Sequence, residues 1–192
     1  STALILTIDD AIMPSVQAYL HRGLGAAENQ GMEMVILQLN TPGGSLDTMQ
    51  NMVEEIRGSP IPVIVYITPR GGWAASAGAI ITLAGHAAAM SPETAIGAAS
   101  PVSGEGQDLT ETMEAKAKEA MTALTRSLTT NRPPAAQKLA ETMITEAQAV
   151  SAEEALQVGL VDFIADDLED LLTQLDGFVV ETVDGVLPLQ TQ

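Results

Sequence analysis

Met34-Val35-Ile36-Leu37-Gln38-Leu39-Asn40-Thr41-Pro42-Gly43-Gly44-Ser45 carries the chain from an apolar run, through a Pro/Gly turn, to a residue suited to start a helix. The run Met34–Leu39 holds one polar residue in six, the length and composition of a buried strand. Pro42 and the two glycines end it. Ser45 can accept N–H groups at a helix start. Leu46, Met49, Met52, Val53 and Ile56 then recur at helical spacing, while Asp47, Gln50, Glu54 and Glu55 take other faces. Gly58 and Pro60 stop this helix.

The same alternation extends both ways from that unit. Upstream, Ala3 to Ile8 reads as a buried strand and Pro14 to about Glu28 as a helix, with Gly31 beyond its end. Downstream, Ile61 to Thr68 is a third strand, and a loop containing Arg70-Gly71-Gly72 leads to Ser76. Ala77 to Ala84 carries no charge and reads as a buried helix, followed by short strands at His86–Met90 and Ala95–Ala99. Strand, helix, strand, helix in this order indicates an α/β fold with parallel strands.

The second half is mainly helical. Val102 to Asp108 is a Ser/Gly-rich loop before a long helical pattern, Leu109 to Thr130, and a second pattern spans Pro133 to Thr145. Ser151-Ala152-Glu153-Glu154 is a capping box, and Gly159 ends the helix it opens. A strand over Leu160–Ala165 and a helix over Leu168–Leu175 follow. The division expected is one domain over 1–176 and a tail over 177–192, a weak alternation about Asp184-Gly185 that suits a small hairpin.

Composition narrows the function. Apolar residues are 46% of the chain but aromatics only 3%, so aliphatic residues and methionine must build the core. The formal charge of −17 repels phosphate backbones, which argues against nucleic acid as a partner. There is no cysteine, so disulfides and thiolate metal sites are excluded. No run approaches the ~18 apolar residues of a membrane span, and no basic segment followed by an apolar one marks a signal peptide. The abrupt opening, Ser1 leading straight into Ala3-Leu4-Ile5-Leu6, fits an excised domain or a mature form.

Candidate chemistry begins at Gly71-Gly72-Trp73-Ala74-Ala75-Ser76-Ala77-Gly78-Ala79. A serine at a helix start lies near unpaired N–H groups and the positive end of the helix dipole. The Ala77 N–H would point toward an oxyanion formed when Ser76 attacks a carbonyl. Read alone, Ser76 is more readily a cap in a small-residue packing site than a nucleophile. The turn at Pro42-Gly43-Gly44 lets a substrate backbone come close and makes Gly44 N–H a second candidate donor, although by itself it is only a tight turn. The base is less legible. His21 sits beside Arg22 near a helix end, and His86 lies in an apolar segment where a core role suits it better than a catalytic one. Lys116, 40 positions after Ser76, is one of three lysines, and its setting Glu114-Ala115-Lys116-Ala117-Lys118-Glu119 looks like a solvated helix face. A lysine acts as a base only when neutral, which requires desolvation. Lys118 points about 200° away on the same helix, so only one of the pair can face Ser76.

Taken together these strings resemble the soluble N-terminal domain of NfeD-type membrane-bound serine proteases, relatives of stomatin operon proteins in the ClpP class. The resemblance rests on Leu39-Asn40-Thr41-Pro42-Gly43-Gly44, Ala74-Ala75-Ser76-Ala77-Gly78 and Ala95-Ile96-Gly97-Ala98-Ala99. It rests also on Glu111-Thr112-Met113 before Lys116, on Ser151 to Leu156, and on Gly159-Leu160-Val161-Asp162. It covers roughly residues 3 to 176. It implies a ClpP/crotonase-like α/β spiral of β-β-α units and a Ser/Lys dyad, with Ser76 as nucleophile and Lys116 as base, the latter through its spacing to Arg126-Ser127-Leu128. Gly44 and Ala77 fall at the oxyanion positions, and Gly43 and Trp73 at substrate-binding ones. It implies a homodimer acting outside the cytoplasm on hydrophobic segments, including those of stomatin-like membrane proteins. It further implies anchoring through membrane helices that this chain lacks, with no metal or other cofactor. Trp73 departs from the family, where a small residue is expected, and a bulky indole there would narrow the cleft.

The expected function is therefore a serine endopeptidase. Its nearest rival is a signal-peptide peptidase of the same class. A crotonase-type acyl-CoA enzyme would share the oxyanion turns but normally needs carboxylates that do not flank Ser76. A non-catalytic scaffold for a stomatin-like partner is the third reading.

Overall fold

The computed structural model describes residues 2–101 and 110–192. The expected Ser/Gly-rich loop Val102–Asp108 and the first residue of the following helical pattern, Leu109, lie outside the described residues. The first half runs β1 (Ala3–Asp9), α1 (Pro14–Asn29), β2 (Met34–Asn40), α2 (Leu46–Gly58), β3 (Val63–Ile67), β4 (Trp73–Ala75), α3 (Ala77–Ala84), β5 (Ala87–Met90) and β6 (Ala95–Gly97). The second half runs α4 (Glu111–Leu128), α5 (Pro134–Thr145), β7 (Ala149–Ser151), α6 (Ala152–Val158), β8 (Phe163–Ile164), α7 (Leu168–Leu175), β9 (Val179–Thr182) and β10 (Gly185–Pro188).

Five of these strands form one sheet in the order β1-β2-β3-β5-β8, and every neighbouring pair is parallel. Successive side chains of a strand face opposite ways, and both faces of this sheet are covered. Val35, Leu37 and Leu39 of β2 and Val63, Val65 and Ile67 of β3 face a large core with Leu20 and Ala27 of α1, Met49, Met52 and Ile56 of α2, and α3. The alternate residues Met34, Ile36, Ile64 and Tyr66 face a second core with Leu171 and Leu175 of α7 and with Val180 and Leu189 of the tail. Two-sided burial is why β2 and β3 read as unbroken apolar runs. The tail is an antiparallel hairpin of β9 and β10 whose turn is Val183-Asp184, one residue before the expected Asp184-Gly185.

The parallel α/β order expected from the sequence is the one observed, with adjustments at the edges. The strand expected over Leu160–Ala165 is only two residues long, because Leu160 and Val161 instead follow the left-handed Gly159 that closes α6. Two strands were not expected, β4 and β7. Together with β6 they build a second, three-stranded sheet in the order β4-β6-β7, parallel across β4/β6 and antiparallel across β6/β7. It stands at the carboxyl ends of β1 and β2, joined to β2's end by a bridge between Thr41 and Ala74. In open parallel sheets the carboxyl edge is where ligands bind. Here it brings Ile12, the Pro42-Gly43-Gly44 turn and Ser76 into one place.

Candidate active site

Ser76 follows β4 directly and precedes α3, and it takes φ 54° and ψ −122°. An L residue rarely adopts this backbone, and holding it there costs of order 1–3 kcal/mol. The surroundings fix it on both sides. Its N–H donates to the Gly97 carbonyl at 2.9 Å, and its carbonyl accepts the Ala79 N–H at 3.0 Å. The Ser76 side chain does not cap α3, so its hydroxyl is not spent on the helix. The expected alternative, a capping serine, does not describe this residue. All eight residues of α3 are buried, so the helix is a rigid seat.

The glycine turn lies directly against the serine. Gly43 has φ 108°, and a Cβ built on it would fall 2.6 Å from Ser76 Cβ and 3.1 Å from Ser76 Oγ. Only glycine fits there, by both backbone angle and space. Gly44 is pressed from the other side: a Cβ would meet the Ile12 carbonyl oxygen at 2.1 Å. Ile12 holds the turn through its backbone, donating its N–H to the Gly43 carbonyl at 2.8 Å and accepting the Ser45 N–H at 2.9 Å. In a trans peptide the C=O and N–H point in opposite directions. With Gly43 C=O turned to Ile12, Gly44 N–H faces away from it, and among the described residues it has no hydrogen-bond partner. Gly44 is exposed, whereas Gly43 is buried beneath it. Ala77 is the first residue of α3, where the N–H groups have no partner inside the helix. One free N–H thus belongs to the turn and one to the residue after the serine.

Trp73 begins β4 and is 49% exposed. Its N–H donates to Asn40 Oδ1 at 3.0 Å, and Asn40 Nδ2 donates in turn to Asp9 Oδ1 at 2.9 Å. This chain ties the ends of β1 and β2 to the strand that delivers Ser76. Residues of β4 and β6, Trp73 among them, line with Ala98 and Ala149 a small apolar dent of about 40 Å³.

The candidate bases separate clearly. His86 lies beyond the far end of α3 from Ser76, a helix of eight residues and so about 12 Å long. Its Nδ1 accepts the Val63 N–H at 2.9 Å. Burial, with the nearby Arg57 charge, lowers its pKa to about 4. It is a core histidine, as expected. His21 is exposed on α1 beside Glu55. Lys116 stands exposed in the second turn of α4. Lys118 is half-buried and paired with Glu114 at 3.0 Å. Farther along, α4 joins the core through Met121, Leu124 and Leu128. No hydrogen bond joins Lys116 to Ser76 among the described residues, and the desolvated lysine that the sequence argument requires is not what α4 displays. The structure brings Ser76, Gly43, Gly44 and Ala77 together, and Lys116 stands exposed on α4. Thr41, Ile12 and Gly97 are parts of the arrangement that sequence reasoning did not single out. Thr41 lay within a quoted motif, but nothing about its residue type distinguishes it, and Ile12 acts only through its backbone.

The chain matches the family profile of the NfeD1b N-terminal domain over residues 2–182. It belongs to that family. The membrane-bound protease PH1510 of Pyrococcus horikoshii is 39% identical over 158 residues, 81% of this chain. The chain spans only 35% of that relative's length. Two solved structures of the 1510-N membrane-bound stomatin-specific protease superpose with a TM-score of 0.90 each, covering all of this chain. One is a serine-to-alanine mutant, 32% identical, with 94% of its chain covered. The other is a lysine-to-alanine mutant in complex with a substrate peptide, 31% identical, with 89% covered. The replaced serine and lysine lie one residue further apart than Ser76 and Lys116, and one residue nearer than Ser76 and Lys118. ClpP1 of Listeria monocytogenes matches with a TM-score of 0.70 at 20% identity, over 87% of this chain and 94% of its own. That likeness concerns the fold alone, and it places the NfeD1b N-terminal domain among ClpP-like folds. Among the described residues no helix is long and apolar enough to cross a membrane.

Proposed function

We propose that this NfeD1b N-terminal domain is a serine endopeptidase with Ser76 as nucleophile and Lys116 as base. The observation that carries the reading is Ser76 itself: a strained, uncapped serine with the glycine turn seated on it. Neutral Lys116 takes the proton from Ser76 Oγ, and the oxygen attacks the scissile carbonyl. Gly44 and Ala77 N–H groups receive the resulting oxyanion. The C–N bond breaks as Lys116 returns its proton to the departing amine. A water, deprotonated by the same lysine, then attacks the acyl-serine ester and frees Ser76. Gly43 and Trp73 line the substrate's path, and no metal or other cofactor enters these steps.

Lys116 is preferred over Lys118 because Lys118 is engaged with Glu114 whereas Lys116 has no ion-pair partner among the described residues. A lysine exposed in the free domain becomes desolvated when substrate or a second copy covers α4's first turns. The 1510-N relative is named as specific for stomatin, and PH1510 as membrane-bound. By likeness, the substrate here is a hydrophobic segment of a stomatin-like membrane protein. The acting unit is a homodimer on the extracytoplasmic side, anchored by segments outside this chain. Residues 1–176 form the protease unit and 177–192 an appended hairpin.

The exposure of Lys116 also suits a second reading, a scaffold that holds a stomatin-like partner without cleaving it. Fluorophosphonate labelling separates the two. The protease reading expects stoichiometric label on Ser76 and cleavage of an apolar peptide, both lost in Ser76→Ala. A wild-type domain that binds such a peptide but neither labels nor cleaves would leave only the scaffold.

A further inference from the structure

Thr41 is fully buried between the two segments that form the site. Its hydroxyl accepts the Gly43 N–H at 3.2 Å, a local side-chain turn typical of Ser and Thr. Its own N–H donates to the Trp73 carbonyl at 2.9 Å, and its carbonyl accepts the Ala75 N–H at 3.1 Å. Its methyl group lies against the helix that follows the serine: a Cβ built on Gly78 would fall 2.4 Å from Thr41 Cγ2. One side chain thus grips the glycine turn with its oxygen and rests on α3 with its carbon.

Gly43 is the flexible link in the turn, since a glycine at φ 108° has little intrinsic preference for one orientation. Two hydrogen bonds hold it. Its carbonyl is held by Ile12 N–H and its N–H by the Thr41 hydroxyl. The first bond uses only backbone, so among the described residues the hydroxyl is the one side-chain hydrogen bond to the residue that precedes the Gly44 N–H. We propose that Thr41 is a positioning residue of the acyl-transfer site. Its hydroxyl fixes the direction of the Gly44 N–H, and its methyl sets the turn's distance from α3. The inference rests on the serine-protease reading, and it concerns the transition state because the N–H it aims is the one that meets the oxyanion.

The roles of the two groups are separable. Thr41→Val removes the hydroxyl and keeps the packing on Gly78, whereas Thr41→Ser keeps the hydroxyl and removes the methyl. Removing an oxyanion donor outright lowers kcat by ~10²–10³-fold, so a donor left in place but misdirected should cost roughly 10- to 100-fold. Thr41→Val is expected to lose that much in kcat with KM nearly unchanged and to label with fluorophosphonate slower by the same factor, with a modest fall in Tm because the buried Gly43 N–H is left unpaired. Thr41→Ser is expected to lower Tm and to retain kcat within a few-fold. A purely structural role would move Tm and kcat together in both variants. If Thr41→Val does not fold, Thr41→Ser against Thr41→Ala repeats the comparison, since that pair also differs by the hydroxyl alone. Equal kcat within either pair overturns the assignment while leaving the protease intact. A wild-type domain with neither label nor turnover overturns the protease reading itself, and the Thr41 role with it.

Discussion

Ser76 holds a conformation that glycine tolerates and serine does not, so reactivity and stability oppose each other at this position. Ser76→Ala should abolish turnover and leave the strain in place. Ser76→Gly should also be inactive, yet relieve the strain, offset in part by the greater freedom of an unfolded glycine. The expected result in urea is a Ser76→Gly domain more stable than Ser76→Ala by roughly 1 kcal/mol. Equal midpoints would mean that the backbone at this position stores no net strain. The base is tested at the same scale. Lys116→Ala should match Ser76→Ala in inactivity and the double variant should be no worse, because members of a catalytic unit do not contribute additively. Lys118→Ala should lose only a surface pair with Glu114 and keep its turnover. The reverse pattern would move the base two residues along α4.

Among the elements, a part-buried ion pair ties the helical half to the main sheet. Arg132, just before α5, donates to both carboxylate oxygens of Asp162, at 2.6 and 3.0 Å, and Asp162 Oδ2 also accepts the Ala88 N–H at the start of β5. Both side chains are largely buried. Arg132→Ala would leave an uncompensated carboxylate there, and a loss of about 3 kcal/mol in chemical denaturation is expected. Arg132→Lys should recover only part of it, because the two-pronged geometry is lost. The elements also differ in how plainly the sequence announces them. The α2 helix was legible because Ser45 caps it and its apolar residues repeat at helical spacing. The capping box at Ser151 and the left-handed Gly159 framed α6 in the same way. The β4 strand was not legible, because Trp73-Ala74-Ala75 is too short to show a period of two and finds its partners in β6 and Thr41, distant in sequence. The cluster of Ser76 with the glycine turn could be guessed from small residues. The exposure of Lys116 was legible too, in the charged string around it, whereas how α4 docks near Ser76 was not, since that depends on packing distant in sequence.

At the scale of the whole molecule, acid should weaken the fold through His86. Its folded-state pKa of about 4 lies below the usual value of 6.5. Between those values the unfolded chain binds a proton that the folded chain refuses, so stability rises with pH across that window. The contribution is complete above about pH 6.5 and is lost as pH falls toward 4, by at most about 3 kcal/mol. His86→Gln should flatten the slope of unfolding free energy between pH 4 and 6.5, and an unchanged slope would assign the acid sensitivity to the carboxylates. The grip of Ile12 on the glycine turn has a different kind of consequence. Surface connections usually absorb added residues at little cost, and the link from β1 to α1, with Asp9, Asp10 and Met13 exposed, looks like such a connection. Because Ile12 acts through its N–H and carbonyl, its side chain is exchangeable for the chemistry, but its place in the count is not. One glycine inserted between Asp10 and Ala11 should leave the circular dichroism spectrum as it was and silence peptide cleavage, making chain length, rather than residue identity, the quantity under constraint in this link.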